Sequence, residues 1–453
     1  MLPTLGPVEL GTGACLMTFT NTQNSQHVDN ESSLYRLVWR WHFYAGIFCI
    51  PFILSLSISG AIYLFKPQID TWVERPFYST RTDAARHTPN EIIYAALEAL
   101  PKSKFLSLRL PTTDEEAVVV NVLDRGKRTL VYVDAYDLQT LKIIAYRDQF
   151  IREVRSFHGE LLAGDIGSIL VELAGSWAIV LIITGLYLWW PRSITGLAGV
   201  LYPRVRQTGR IFWRDMHAVF GAWLCVALLF LLVSGLPWST VWGGAFKEIR
   251  KSIESFHSQD WTVTGSEEKL RWTRSAVSDV NLTPELLASA RSLGFASPAA
   301  LAVVDTDRWQ LTSNHQNRTL RATALLDGET GEIQNVTSFS EGPLIDRVIG
   351  IAISIHEGHY FGWANQLLGL LVSMGAIGLS ITGSILWWRR KPVHRLGAPR
   401  PLPNMKIGRA IAGILFGLAL FLPLLAVSLL MLLLLEWLVF RRIKSISQWM
   451  GLS

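Results

Sequence analysis

The sequence is poor in cysteine and in charged residues, and it lacks the motif of a nucleotide-binding domain. Its three cysteines include no CxxC pair, so neither a disulfide framework nor a cysteine-rich metal site is expected. No GxGxxG motif opens a helix after a strand, which leaves the chain without an evident flavin or NAD domain of its own. Only 17% of the residues are charged, whereas 50% are hydrophobic. This balance favours a membrane protein.

Long apolar runs support that class. A helix of about 20 residues crosses the hydrocarbon layer of a bilayer, and five runs reach this length. The first lies too far into the chain and lacks the small-residue cleavage site of a signal peptide. The runs are Phe43–Phe65, Ser168–Trp190, Ala218–Pro237, Gln366–Trp388 and Ala410–Phe440.

Basic residues in short loops predict the orientation of these runs, because cytoplasmic loops carry an excess of lysine and arginine. Arg192–Arg214 holds five arginines and no acid, and Arg389–Arg409 holds seven basic residues and no acid. We therefore expect a cytoplasmic N-terminus, with segments 66–156 and 238–355 outside. Five spans then put the C-terminus outside as well. These loops also account for the net charge of +6, so no nucleic-acid partner is implied.

Four histidines anchor an internal repeat: His42, His217, His158 and His356. His42 and His217 begin two apolar runs and are followed by glycine at +4 and by Ser-Gly at +17 and +18. His158 and His356 precede two other runs and are followed by Thr-Gly at +26 and +27. The recurring residues are Gly46 and Gly221, Ser59-Gly60 and Ser234-Gly235, and Thr184-Gly185 and Thr382-Gly383.

The predicted topology sorts these histidines into two equivalent pairs. His42 and His217 lie at cytoplasmic ends of spans, whereas His158 and His356 lie outside, so we pair His42 with His217 and His158 with His356. Two imidazoles from opposing helices can be the axial ligands of a b-type haem, and no CxxCH motif for a c-type haem is present. Two haem b groups are therefore expected. Transition-metal transport is the alternative, but it would require Asp, Glu or Met beside the histidines within the spans, and the sequence offers little of that.

The repeated glycines fit this interpretation, since a porphyrin packed against a helix needs a residue without a side chain. Gly46 and Gly221 lie one helical turn from His42 and His217, on the face that carries the ligand. Gly60 and Gly235 are expected at the outer end of the same two helices. Gly185 and Gly383 are expected at the inner end of the second and fourth spans. Each helix would then ligate one haem and leave room for the other. The three pairs are Gly46 with Gly221, Gly60 with Gly235, and Gly185 with Gly383.

Five further residues are weaker candidates. His359 shares a helix face with His356 and is a candidate backup ligand or substrate-side residue. Arg40, Arg155 and Arg214 lie within three residues of a ligand and are candidates for contacts with haem propionates, although positive-inside anchoring also explains Arg40 and Arg214. Glu172 is an acid inside an apolar run, which makes it a candidate proton relay or hydrogen-bonding partner near a haem.

The two outside segments share a predicted order of one helix followed by strands, and we expect each to form a small α+β module. The first contains a helix at Asn90–Leu100 and strands at Ala117–Leu123, Leu130–Asp134 and Leu141–Tyr146. The second contains a helix at Thr283–Leu293 and strands at Ala300–Val304, Ala322–Asp327 and Glu332–Thr337. This alignment equates Ala117–Leu123 with Ala300–Val304.

Five motifs carry a resemblance to a known family. They are Trp39-Arg-Trp-His42, Phe157–Leu162, Gly185–Arg192, Asp215-Met-His217 and Ile355–Gly358. Together they resemble the PepSY-associated transmembrane family, which includes iron-regulated inner-membrane proteins and ferrisiderophore reductases. The resemblance implies a mainly α membrane protein of the bacterial inner membrane: a duplicated bundle of four core transmembrane helices plus a fifth, with two small α+β PepSY-like extracytoplasmic modules.

The domain boundaries follow from these runs and modules. They are 1–34 for an N-terminal tail, 35–66 for transmembrane helix 1, 67–150 for the first periplasmic module, 151–192 for a histidine segment and helix 2, 193–212 for a cytoplasmic loop, 213–240 for helix 3, 241–345 for the second periplasmic module, 346–390 for a histidine segment and helix 4, 391–408 for a cytoplasmic loop, 409–442 for helix 5 and 443–453 for a tail.

The resemblance also implies an activity. It points to a membrane oxidoreductase that passes electrons from the cytoplasmic side to a periplasmic Fe(III)-siderophore, with a separate cytoplasmic or quinol donor. Two alternatives are a haem-free PepSY regulatory or binding protein and a di-haem carrier for another periplasmic acceptor. A regulator has no need of the four histidines, so they separate the first alternative from the others.

Overall fold

The computed structural model of the protein describes residues 17–78, 85–192, 196–253, 275–305, 307–399 and 409–452. Parts of the predicted N-terminal tail, of both cytoplasmic loops and of both modules therefore lie outside the described residues. The chain divides into two compact units. The first, the helical unit, consists of Met1–Cys49, Trp177–Trp223 and Ile381–Ser453. The second, the sheet unit, consists of Ile50–Ser176 and Leu224–Ser380.

Helices dominate the described part of the chain. They are α1 (Met17–Tyr63), α2 (Lys66–Glu74), α3 (Pro89–Ala99), α4 (Phe150–Glu160), α5 (Gly164–Trp189), α6 (Gly209–Gly235), α7 (Val241–Ile253), α8 (Pro284–Ser292), α9 (Leu344–His356), α10 (Trp363–Arg390), α11 (Arg409–Phe421), α12 (Pro423–Leu435) and α13 (Lys444–Met450). Short 3₁₀ turns include Leu236–Trp238 after α6 and Arg318–Leu320.

Five helical segments are long and apolar enough to cross a membrane. A helix suits such runs because it satisfies its backbone hydrogen bonds internally, which a bilayer requires. The five segments are Ser33–Tyr63, Gly164–Trp189, Gly209–Trp238, Trp363–Arg390 and Pro423–Phe440. The chain is therefore a mainly helical, multi-pass membrane protein with a β-sheet region.

The sheet unit contains one antiparallel sheet of eight strands in the order β4-β3-β2-β1-β5-β6-β7-β8. The strands are β1 (Lys104–Leu110), β2 (Val118–Asp124), β3 (Lys127–Val133), β4 (Thr140–Ala145), β5 (Ala299–Asp305), β6 (Arg308–Ser313), β7 (Ala322–Asp327) and β8 (Ile333–Ser338). Helices α3 and α8 pack on it, and each starts with a threonine cap followed by proline, Thr88-Pro89 and Thr283-Pro284.

The strands of the two predicted modules form this single sheet. Strands β1 and β5 pair directly, with Ser107 opposite Ala302 and Leu110 opposite Ala299. Residues from both groups of strands and from both helices share one buried core. The predicted alignment of Ala117–Leu123 with Ala300–Val304 is also wrong by one strand, because β2 is the second strand of its group and β5 is the first.

The C-terminal segment ends beside the start of the first span. The Tyr44 hydroxyl donates to the Met450 carbonyl at 2.6 Å, and the Leu396 amide donates to the Trp449 carbonyl at 2.9 Å. The long apolar run is broken at Leu422, whose backbone leaves the helical region ahead of Pro423. These contacts contradict the prediction that the C-terminus lies on the opposite side of the membrane from the loop after the fourth span.

Candidate functional site

Two of the four histidines meet in the helical unit. His42 on α1 and His217 on α6 have ring centres 6.3 Å apart, with the ring planes at 80°. Each belongs to a candidate span, Ser33–Tyr63 for His42 and Gly209–Trp238 for His217. The structure thus brings together the first of the two predicted pairs, which we call the inner pair.

Each imidazole of the inner pair is hydrogen-bonded to the threonine of a Thr-Gly pair on a different span. Nδ1 of His42 lies 2.9 Å from the hydroxyl of Thr184, and Nδ1 of His217 lies 3.1 Å from the hydroxyl of Thr382. The neighbouring glycines leave room for the rings. A Cβ at Gly185 would lie 3.2 Å from Cε1 of His42, and one at Gly383 would lie 3.4 Å from Cε1 of His217.

The other two histidines lie in the sheet unit and form the outer pair. Nδ1 of His158 on α4 lies 3.0 Å from the hydroxyl of Ser59, and Nδ1 of His356 on α9 lies 2.8 Å from that of Ser234. A Cβ on the glycine after Ser59 would lie 3.1 Å from His158, and one on the glycine after Ser234 would lie 3.7 Å from His356. All four histidines thus share one arrangement, a hydroxyl on Nδ1 and a glycine beside Cε1.

The hydroxyl groups determine which ring nitrogen carries the proton. A serine or threonine hydroxyl has only one proton to donate. Thr184 donates it to the Val180 carbonyl at 2.7 Å, and Ser59 donates it to the Ser55 carbonyl at 2.7 Å. With its proton used in that bond, each hydroxyl is placed to accept a hydrogen bond from the Nδ1–H tautomer of its histidine. This tautomer has its lone pair on Nε2, which is the form that ligates a metal ion.

The outer imidazoles are uncharged at neutral pH. Burial lowers the pKa of His158 to about 4, and the nearby His356 lowers it further. Burial also lowers the pKa of His356, although the carboxylate of Glu357 partly opposes it. A neutral ring is required of a histidine that binds a metal ion.

The structure shows what lies beside the repeated glycines. Gly60, Gly235, Gly185 and Gly383 each lie against one of the four imidazoles and leave room for that ring. Their predicted clearance for the porphyrin bound at the opposite end of each helix stays a prediction. A Cβ at Gly46 would make only ordinary contact with Leu181 at 3.9 Å. The predicted clearance at Gly46 and at Gly221 stays a prediction.

A comparison with known protein families finds a match over most of the chain. The family described as the PepSY-associated TM region matches residues 39–390, which is more than half of the chain and includes all four histidines. The chain belongs to the PepSY-associated transmembrane family. Helices α11–α13 lie beyond the matched residues. A comparison with curated proteins gives no match.

The inner pair of this PepSY-associated protein has a separation that two axial ligands of one metal ion could have. The described residues contain no group of three or more His, Cys, Asp or Glu side chains that could hold a metal ion. A haem needs only two protein ligands, because the porphyrin supplies four nitrogens. Two imidazoles facing one metal ion through bonds of about 2.0–2.1 Å would have ring centres roughly 6.2–6.4 Å apart. The inner pair matches that separation at 6.3 Å.

Two of the three arginines predicted to contact propionates have protein partners instead. Arg40 donates to the carbonyl of Pro399 at 2.7 Å and to that of Gly451 at 3.1 Å. Arg214 pairs with the buried carboxylate of Asp215 at 2.6 Å. The first contacts tie the middle of α1 to Pro399 and to the C-terminal segment, and the second lies within α6. Arg155 is exposed, and its propionate contact stays a prediction.

His359 follows the outer pair in the turn between α9 and α10. Its backbone amide donates to the Ser354 carbonyl at 2.8 Å, and burial lowers the pKa of its imidazole to about 4. Its Nε2 is buried and has no hydrogen-bond partner within the described part of the chain. The role of His359 as backup ligand or substrate-side residue stays a prediction.

Glu172 has a structural partner that the sequence did not reveal. Its two carboxylate oxygens accept from the backbone amides of Val241 at 2.8 Å and Trp242 at 2.9 Å. These amides form the first turn of α7, where a helix favours negative charge. Glu172 therefore caps α7 within the sheet unit, and its role as proton relay or as hydrogen-bonding partner near a haem stays a prediction.

Proposed function

We propose that this chain is a di-haem b-type electron-transfer protein of the bacterial inner membrane. In this proposal His42 and His217 hold one haem, and His158 and His356 hold the other. The observation that carries it is the shared arrangement of the four imidazoles, whose Nδ1 atoms lie 2.8–3.1 Å from hydroxyl oxygens. Bound in this way, the haems would supply reversible one-electron chemistry.

The residues of the chain set the conditions for that chemistry. Hydroxyl groups orient the imidazoles and raise their basicity as ligands through Nδ1. The glycines let the helices approach closely enough for these hydrogen bonds to form. Burial keeps the outer imidazoles uncharged, as the lowered pKa of His158 indicates.

We further propose a direction and an acceptor. Electrons would pass from a separate cytoplasmic or quinol donor to a periplasmic Fe(III)-siderophore, so the chain would act as a ferric reductase. Iron held by hard oxygen ligands is released on reduction, because Fe(II) binds such ligands less well. The support is the family itself and the basic loops, which favour a cytoplasmic side for the inner pair.

The internal duplication and the PepSY-like nature of the sheet region are part of the same proposal. Two groups of four antiparallel strands each follow a helix that starts with Thr-Pro. The histidines and the Ser-Gly and Thr-Gly pairs recur at equal offsets in both halves. One ancestral unit of span, helix, strands, histidine and span accounts for both patterns.

An optical spectrum of the purified full-length protein from haem-replete cells tests the proposal. We expect a reducible, low-spin b-type spectrum with two haems per chain. His42→Ala and His217→Ala should lose the same haem, and His158→Ala and His356→Ala should lose the other. If the protein purified from these cells contained no haem, the proposal would be wrong and a haem-free regulator would be favoured. Reduction of a ferric siderophore in the presence of a ferrous chelator then tests the acceptor.

A further inference from the structure

An aromatic side chain packs against one of the outer histidines. Trp238 lies four residues after Ser234, at the end of the third span, so both lie on one helix face. Ser234 holds Nδ1 of His356 at 2.8 Å, and the Trp238 ring meets the His356 ring at a centroid distance of 6.4 Å and an angle of 75°. The imidazole is therefore held by a hydrogen bond at one nitrogen and by edge-to-face packing on its ring.

A buried ion pair lies against this tryptophan. The guanidinium of Arg318 stands over the Trp238 ring at 5.6 Å and donates to the carboxylate of Glu357 at 2.9 Å. The side chains of Arg318 and Glu357 are only 7% and 10% exposed. The backbone amide of Arg318 also donates to the buried hydroxyl of Ser354 at 3.0 Å. Glu357 directly follows His356 in the chain, so the ion pair adjoins the outer pair.

The loop that carries Arg318 is specific to the second group of strands. Residues 314–321 connect β6 to β7, whereas only residues 125–126 connect β2 to β3. The residue after His158 is Gly159, whereas the residue after His356 is Glu357. The two halves of the chain therefore give their outer histidines different electrostatic surroundings.

Each charge of this pair matters because both are buried. The guanidinium of Arg318 lies 2.9 Å from the carboxylate of Glu357, which is the distance of a hydrogen-bonded ion pair. At a low local dielectric the field of an unpaired charge is strong, whereas two opposite charges 2.9 Å apart largely cancel at a distance.

We propose that Trp238 and the Arg318–Glu357 pair are positioning residues that fix the His356 imidazole and set the reduction potential of the outer haem alone. This inference rests on the proposed function. Without Glu357 the positive charge of Arg318 would favour the extra electron of the reduced haem. Without Arg318 the negative charge of Glu357 would oppose it. Removing both would restore near-neutral surroundings.

A redox titration of the full-length haem-loaded protein, followed by its optical spectrum, tests this. Glu357→Gln should raise the potential of one of the two haems, and Arg318→Gln should lower the potential of the same haem. The double variant and Arg318→Lys should return it close to the wild-type value. A matched control is Asp305→Asn, which breaks the exposed Asp305–Arg308 pair of the same unit and should move neither potential.

Opposite shifts of one haem distinguish tuning from structural damage, which would move the potential in one direction or remove the ligand. Reduction potentials unchanged from the wild type in all variants would overturn the inference while leaving the two haems in place. Shifts of the same sign in both single variants would do the same. A wild-type protein without haem would instead overturn the proposed function. If the single variants fail to accumulate, the variant Trp238→Phe tests the inference by electron paramagnetic resonance. A change in the electron paramagnetic resonance g values of one haem supports the inference, and unchanged g values refute it.

Discussion

The threonine that binds His42 offers the most direct test of the shared arrangement. Thr184→Val keeps the shape of the side chain but removes the hydroxyl that lies 2.9 Å from Nδ1 of His42. The imidazole would then lose its best hydrogen-bond acceptor inside the membrane. We expect weaker haem binding at the inner pair and unchanged binding at the outer pair, whose hydroxyls belong to Ser59 and Ser234.

The size of the effect follows from the bond that is removed. Leaving a buried donor without its partner costs about 1–3 kcal/mol, and the group that orients a ligating histidine typically contributes about 10–100-fold to metal affinity. The Leu181 carbonyl also lies within hydrogen-bonding reach of His42 and survives the substitution. We therefore expect a loss near the lower end, on the order of tenfold.

Haem titration of the apoprotein, followed by its optical bands, measures this loss. Thr184→Ser restores a hydroxyl and should bind haem like the wild type, which separates the hydrogen bond from packing. Thr382→Val should weaken the same site, because its hydroxyl lies 3.1 Å from His217. The reasoning fails if Thr184→Val binds both haems with wild-type affinity, or if the outer site is the one that weakens.

Three further variants probe other contacts. Gly60→Leu should displace His158 and remove the outer haem from the optical spectrum, because a Cβ at this position already lies 3.1 Å from the imidazole ring. Gly244→Leu is the control: a Cβ there meets open space, so this variant should keep both haems. His359→Ala should keep two low-spin haems, and loss of one by pyridine haemochrome assay would make His359 the ligand. Glu172→Gln should lower stability by about 1–2 kcal/mol, since it weakens the cap of α7; an unchanged melting temperature with a lost haem would contradict this role.

The sequence predicted the residues of the site better than their roles. Equal offsets from the four histidines identified the Ser-Gly and Thr-Gly pairs. The sequence could not show that Gly185 lies beside His42, since the two are far apart in the chain and meet only through helix packing. Thr184 was visible in the repeat. Its position directly before a glycine, repeated at Thr382-Gly383, was the signal that its hydroxyl has a role at a histidine.

The sheet was harder to predict because its decisive contacts link the two halves. Strand β1 was missed although Leu106–Leu110 alternates apolar and polar residues as a strand does. Its pairing with β5 joins Ser107 to Ala302, nearly two hundred residues away in the chain. Local patterns cannot specify such a pairing, and the same is true of Arg318, which reaches Trp238 from a loop between strands.

Helix packing without a cofactor is the rival explanation for the four histidines, and the energies argue against it. Hydrogen bonds between polar side chains of membrane helices contribute only about 0.6 kcal/mol on average. Each imidazole gains one such bond at Nδ1, whereas an apolar residue at the same position would pack without taking a polar ring out of water. Packing alone therefore gives little reason for a histidine at each position, whereas a bond from Nε2 to iron would make all four imidazoles favourable.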